Sequence, residues 1–239
     1  MNGLMTCLLV LALNLSPEEL LKKVDDVIVP KDDYSFTMRF RVQEEGAGER
    51  EFEIKVYVKG EKRLIRFTYP PQVKGMAILS LGHDVMYVYM PGYKKVRRIA
   101  SHVRNQTFLG TDFTYEDISI PTYGNDYNPI DAGEEGDFYF LTLKPKEEGK
   151  KDYGKLRLFV DKETFVVRKI EYYDRNEKLI KVETRGNFKR AKNSWIVGEV
   201  KMENMINGRV QMGKTSESEV EPLPDDLFTT SALLRGESK

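Results

Sequence analysis

Residues 33–42 read DYSFTMRFRV, and this stretch decides what kind of fold the chain can make. Tyr34, Phe36, Met38, Phe40 and Val42 occupy every second position, with Ser35, Thr37, Arg39 and Arg41 between them. A period of two places all the apolar side chains on one side of an extended strand, so the stretch predicts a strand with one wet and one dry face.

The pattern repeats outward from there. After a turn at Glu44–Gly48, Phe52, Ile54, Val56 and Val58 alternate again, and Lys59-Gly60-Glu61 turns the chain. Ile65, Phe67 and Tyr69 give a third strand ended by Pro70-Pro71, and Met76–Leu81 a fourth. Val85–Met90 gives a fifth that is apolar on both sides. Strands resume at Phe138–Leu143, Lys155–Val160, Val166–Tyr173, Leu179–Phe188, Trp195–Asn204 and Val210–Val220, separated by turns such as Asn207-Gly208. The spacing predicts an antiparallel meander of about ten or eleven strands. Pro121–Gly136, rich in Gly, Pro, Asn and Asp, reads as a loop. The fold class is mainly β (α+β). A sheet this large cannot stay flat in water, so it should curl into an incomplete barrel closed by a few short helices.

At the N-terminus, Ser16-Pro17-Glu18-Glu19 reads as an N-cap, a first-turn proline and first-turn acids. Leu20, Leu21, Val24 and Val27 then form the apolar stripe of a helix that Pro30 stops. The apolar run Leu4–Leu15 is too short to span a bilayer and is expected to be part of a signal peptide over residues 1–15, leaving 16–239 as one domain. It lacks a basic start and a clean cleavage site. Leu4-Met5-Thr6-Cys7 loosely imitates a lipidation context but comes too early for one.

Lys plus Arg equals Asp plus Glu at 38 each, so no overall field argues for nucleic acid. Cys7 is the single cysteine, which excludes an intramolecular disulfide and a cysteine-based zinc site. His83 and His102 lack metal-ligand spacing, and no serine sits in a Gly-x-Ser-x-Gly turn. No catalytic residue, metal or cofactor is therefore expected, and the chain is read as not an enzyme.

The segment Gly92–Ile118, GYKKVRRIASHVRNQTFLGTDFTYEDI, is not explained by strand-making. Its run Lys94-Lys95-Val96-Arg97-Arg98 is compatible with a solvated strand end, an anionic headgroup site or a docking surface. Asp112, Glu116 and Asp117 are compatible with acid–base work or cation binding. With Lys94, Lys95, Arg97, Arg98 and Arg104 just before them, they are instead expected to cap a short helix and pair with the arginines as an ionic latch. Arg97, Arg98, Arg104, Phe108, Phe113 and Tyr115 are the expected lid, meeting headgroups or a partner.

The chain carries 13 Tyr, 12 Phe and 9 Met, many on the inward faces. A curled sheet lined by Phe36, Met38, Phe40, Ile54, Val56, Phe67, Met76, Ile78, Met86, Val88 and Phe140 would enclose an adaptable apolar cavity. Hydrophobic cargo is the ligand class this predicts.

Lys95-Val96-Arg97-Arg98-Ile99 followed by Gln106-Thr107-Phe108-Leu109-Gly110-Thr111-Asp112-Phe113-Thr114-Tyr115-Glu116-Asp117 resembles the signature of the LolA-like outer-membrane lipoprotein-sorting proteins. Tyr153-Gly154-Lys155, Val160–Thr164, Glu171–Asp174, Met202-Glu203-Asn204 and Leu223–Phe228 support the resemblance, while Leu109 and Thr111 are conservative departures. The resemblance implies a periplasmic, lipoprotein-carrier-like fold acting beside an inner-membrane transporter of the resistance-nodulation-division type. The expected function is a carrier that binds a lipoprotein acyl anchor or other lipid, touches the membrane transiently and works as a monomer. An envelope assembly or sensor module that binds a protein partner on the concave sheet is the alternative.

Overall fold

The structure is a computed structural model that describes residues 15–44, 48–83, 85–104, 106–119, 122–147 and 153–235. Residues 1–14 of the expected signal peptide lie outside them. Helix α1 (Pro17–Ile28) begins as its sequence requires. The Ser16 hydroxyl accepts from the Glu19 amide at 3.2 Å, and the Glu19 carboxylate accepts from the Ser16 amide at 2.8 Å. Leu20, Leu21 and Val24 form its buried stripe.

Six strands follow in order: β1 (Tyr34–Glu44), β2 (Gly48–Lys59), β3 (Lys62–Tyr69), β4 (Ala77–Leu81), β5 (Met86–Met90) and β6 (Lys95–Arg98). The central segment then carries α2 (Tyr115–Ser119), and α3 (Tyr123–Asp126) leads into β7 (Tyr127–Glu135), β8 (Phe138–Pro145), β9 (Lys155–Asp161), β10 (Val167–Tyr173) and β11 (Leu179–Gly186). A small hairpin, β12 (Lys189–Ala191) and β13 (Ser194–Ile196), precedes β14 (Glu199–Asn204) and β15 (Val210–Glu219), and α4 (Thr230–Arg235) comes last.

Thirteen of these strands make one antiparallel sheet in the order β6-β5-β4-β3-β2-β1-β15-β14-β11-β10-β9-β8-β7. The local hairpins are those the turns predict. The join between the halves is long-range: β1 pairs with β15, Ser35 opposite Glu219 and Val42 opposite Gln211. The ends, β6 and β7, do not pair, so the sheet curls without closing. Basic residues at 95, 97 and 98 stand along the β6 edge, a device that discourages further strand addition.

Two expectations are corrected. Most of Pro121–Gly136 is not a loop, because residues 123–135 form α3 and β7. Pro129 is tolerated there because β7 is an edge strand, and the register shifts between Pro129 and Asp131. The strand count also exceeds ten or eleven, because β6 and β7 were not expected and because a hairpin, β12–β13, lies between β11 and β14 and takes the first residues of the strand read through 195–204.

The inner face of the sheet is covered, and so is part of the outer one. On the inner face, α1 packs with Tyr123 and Tyr127 over Leu141, Leu143, Leu158 and Ile170, while Phe108 lies among Ile54, Ile65, Phe67 and Ile78. On the outer face of β3–β5, Leu223, Phe228 and Leu233 from the C-terminal segment cover Leu64, Ala77 and Leu79. This explains why β5 reads as apolar on both sides.

Candidate functional site

Between the inner face and the central segment lies a cavity of about 270 Å³. Its wall draws on β1–β3, β9–β11 and β13–β15, and strands that far apart in the sheet order can share one cavity only because the sheet curls. Phe36, Met38, Phe40, Ile54, Val56 and Phe67 line it, in register across three strands: Phe36 faces Val56 and Val56 faces Ile65; Met38 faces Ile54 and Ile54 faces Phe67. Room for Phe40 is made by Gly213 opposite it, where a Cβ would stand 2.6 Å from the ring.

The other expected lining residues lie elsewhere. Met76, Ile78, Met86 and Val88 belong to the same packed cluster but not to the cavity wall, and they lie in a core shared with Ile99 and Val103. Phe140 is on the opposite face from buried Leu141 and Leu143; it sits over Gly133 and under the Arg157 guanidinium, 4.8 Å from the ring centroid. Aromatic residues occupy both faces of β8, so alternation alone could not say which one turns inward.

The cover is the turn and helix of the central segment. Leu109 and Gly110 both take positive φ (49° and 70°), and the Thr111 amide donates to the Phe108 carbonyl at 2.8 Å, which closes a two-residue turn of the type that hairpins favour. Arg50 grips the Leu109 and Gly110 carbonyls at 3.2 Å each, and Arg209 donates to Gly110 at 2.9 Å. Phe108 and Phe113 face the cavity. Phe108 lies 5.3 Å from the Phe67 ring and 5.1 Å from Tyr115, and Phe113 lies 5.9 Å from Phe40. Tyr115 supports Phe108 from outside the wall. Arg97 and Arg98 are exposed on the β6 edge, and Arg104 is not part of the wall.

Two acids of the cover, Asp112 and Asp117, are held by partners other than the expected arginines, and Asp117 also does what helix capping predicts. Asp117 accepts from the Thr114 amide at 2.8 Å, and Thr114 accepts from the Asp117 amide at 3.1 Å, a reciprocal cap on α2. For Asp112 and Asp117 the expected arginine partners are replaced by side chains of the distant strands. The Lys181 ammonium on β11 donates to Asp117 at 3.0 Å, to the Asp112 carbonyl at 3.0 Å and to the Tyr153 hydroxyl, and Tyr153 in turn donates to Asp117. Asn204 donates to the Asp112 carboxylate at 2.7 Å, Gln211 donates to its other oxygen, and Arg209 lies 3.7 Å away. Glu116 is buried and lines the cavity.

One end of the cavity is polar. Arg185 donates to Glu183 at 2.6 Å, and the other Glu183 oxygen accepts from the Tyr172 hydroxyl at 2.7 Å. Burial pulls the Arg185 guanidinium down, but the Glu183 carboxylate more than offsets this and holds it above its ordinary value. Burial pushes the hydroxyls of Tyr123, Tyr127, Tyr153 and Tyr172 up, so all four stay neutral. Arg63 on β3 donates to the carbonyl of Ile118 at 3.2 Å, a direct bond from this end to the cover. Asp25 of α1 accepts from the Tyr123 and Gly124 amides at 2.7 and 2.9 Å, which positions α3 beside it.

Lys181, Glu183, Arg185 and Gln211 carried no signal in the sequence, since each falls at an ordinary position of a predicted strand, and Arg63 falls just before one. Tyr153-Gly154 did belong to the resemblance. Tyr153 holds Asp117, and Gly154 lies where a Cβ would come within 2.6 Å of the Asp174 carbonyl. Among the described residues no helix is long and apolar enough to cross a membrane.

A family model described as an uncharacterized protein matches residues 59–235. No curated protein matches the chain. Among solved structures, an outer membrane lipoprotein-sorting protein domain from Vibrio parahaemolyticus is 25% identical, with a TM-score of 0.81 over 92% of this chain and 100% of its own. A DUF1329 family protein from Desulfovibrio piger is 24% identical, with a TM-score of 0.80 over 91% of this chain and 97% of its own. A LolA superfamily protein from Nitrosomonas europaea is 24% identical, with a TM-score of 0.74 over 91% of this chain and 99% of its own.

Proposed function

We propose, for a chain that belongs to the LolA-like outer-membrane lipoprotein-sorting protein family, the function of a non-enzymatic lipid carrier. It takes up a lipoprotein acyl anchor or another lipid in its cavity and shuttles it through the periplasm toward the outer membrane. The observation that carries this reading is the covered cavity of about 270 Å³, walled by Phe36, Met38, Ile54, Val56 and Phe67. A carrier must compete with the bilayer, where a chain of about fourteen carbons is stabilised by roughly 11 kcal/mol at about 0.8 kcal/mol per methylene. An open groove on the surface would lose that contest. A sheet bound to a protein partner alone has no need of such a void, and this favours the carrier over the assembly or sensor module.

The cavity lies near the small end of ligand pockets, which run from roughly 300 to 1,000 Å³. We read this as a state with the cover down, and the part of Gly92–Ile118 that moves is its turn and helix, residues 106–118, since β6 is a strand of the sheet. Phe108 and Phe113 leave the chain's path when it opens, and the exposed Arg97 and Arg98 meet anionic headgroups or an inner-membrane transporter of the resistance-nodulation-division type. The carrier acts as a monomer with transient membrane contact.

The test is to strip the protein of lipid, incubate it with membranes that contain lipoproteins, recover it and identify what it holds by mass spectrometry. Recovery of bound lipid or lipopeptide is expected. A carrier that returns empty sinks this reading.

A further inference from the structure

Arg63 is half-buried and lines the cavity, yet among the described residues no carboxylate is paired with it. Its Nη1 is used by the Ile118 carbonyl, and its Nε is buried with no hydrogen-bond partner. The ionisable groups that act on it are the Tyr34 hydroxyl and the Arg185 guanidinium, and Arg185 is itself committed to Glu183. Burial, with Arg185 adding to it, pushes the Arg63 guanidinium down to about 10, which still leaves it charged at neutral pH. The Tyr127 hydroxyl is a second wall group that is buried without a partner. Buried polar groups in folded proteins are almost always satisfied, and a buried charge lacking a counter-charge is costlier still.

The strand register shows what lies beyond Arg63. It pairs with Val58, which pairs with Tyr34. Two residues further along come Ile65, Val56 and Phe36, then Phe67, Ile54 and Met38, then Phe52 and Phe40, all of them on the wall. Three steps of two residues at about 3.3 Å each make an apolar row of about 20 Å. That is longer than one leaflet of a hydrocarbon core about 30 Å thick. A cation therefore stands at one end of a path that fits a single extended acyl chain.

We propose that Arg63 is the head-group subsite of this cavity and that the cargo it takes is a single-chain anionic amphiphile, a long-chain carboxylate or an alkyl phosphate. The planar guanidinium offers its free N–H groups to two oxygens of such a head, and the chain runs along the row toward Phe40. The proposal rests on the carrier reading and narrows its cargo, because an esterified or amide-linked anchor brings no anion to Arg63.

The test uses the sole tryptophan, Trp195, which lines the cavity and reports occupancy by its fluorescence. Delipidated full-length protein is titrated with palmitate, hexadecyl phosphate and hexadecanol, each below its micellar concentration. At least one anion is expected to bind about tenfold or more tighter than hexadecanol, as charge-assisted hydrogen bonds require, and the better anion identifies the head. In Arg63→Met the ratio of anion to alcohol affinity should fall to about one, and in Arg63→Lys it should be intermediate. If Arg63→Met does not fold, the wild-type ratio and Arg63→Lys decide. Equal affinity for all three amphiphiles, or a ratio untouched by the substitutions, overturns the subsite and leaves the carrier standing. Binding of none of them also overturns the subsite, and the carrier reading then stands or falls by its own test, the lipid or lipopeptide recovered from membranes.

Discussion

The Lys181 ammonium lies 3.0 Å from the Asp117 carboxylate, with the two side chains only 9% and 3% exposed. This pair joins the cover of the cavity to a strand in the far half of the sheet. Its three donor contacts, to Asp117, Tyr153 and the Asp112 carbonyl, use every ammonium proton.

Replacing Lys181 by Met leaves Asp117 buried without its cation and the Asp112 carbonyl without its donor. Removing one partner of a buried pair costs about 3–5 kcal/mol. Urea unfolding should show a loss of that size, and Lys181→Met combined with Asp117→Asn should lose less than the sum of the two single changes. A loss under about 1 kcal/mol would mean the pair behaves as a solvated one.

Phe108→Ala removes the ring wedged between Phe67 and Tyr115. A buried Phe truncated to Ala costs about 3–5 kcal/mol, measured by chemical denaturation. The larger void should also raise the amount of lipid recovered per protein at an assay temperature below the variant's melting temperature. A smaller cavity in the variant's crystal structure would contradict this account of the cover.

Val197→Trp puts bulk into the cavity from a half-buried position on its wall. Lipid uptake should fall severalfold while the melting temperature changes by only a few degrees, since the new ring fills empty space. Unchanged uptake would place the cargo somewhere other than this cavity.

Tyr123, Tyr127, Tyr153 and Tyr172 all have hydroxyls raised above their ordinary value of 10.0 by burial. The unfolded chain gives up these protons first as pH rises past about 10, so the folded state then holds more protons than the unfolded one. Stability from these groups is complete below that pH and is lost progressively above it. An ultraviolet titration should show part of the tyrosine absorbance changing only as the far-ultraviolet circular dichroism collapses. Titration of all thirteen tyrosines before any unfolding would refute it.

Alternation along Tyr34–Val42 and Phe52–Val58 was enough to give the strands, the inner face of β1 and β2, and five residues of the cavity wall, because side-chain direction in a strand has a fixed period of two. The cap on α2 was legible for the same kind of reason, since Thr114 and Asp117 are neighbours in sequence. The cations that hold the cover were not. Arg97, Arg98 and Arg104 are near Asp112 and Asp117 along the chain, but Lys181 is 64 residues from Asp117, and only the pairing of β1 with β15 brings the second half of the sheet beneath the first. Phe140 failed for a third reason: period two gives two faces without saying which is dry, and the packing of α1 on Leu141 and Leu143 made that choice.

The sequence by itself determined a mainly β chain with a capped N-terminal helix, antiparallel hairpins and a covering segment rich in charge, all set by interactions between near neighbours. The curl, the cavity, the Lys181–Asp117 tie and the lone guanidinium of Arg63 were decided by tertiary structure alone. Each depends on strands far apart in the chain sharing one partly desolvated space, where a missing or a found partner matters far more than it does in water.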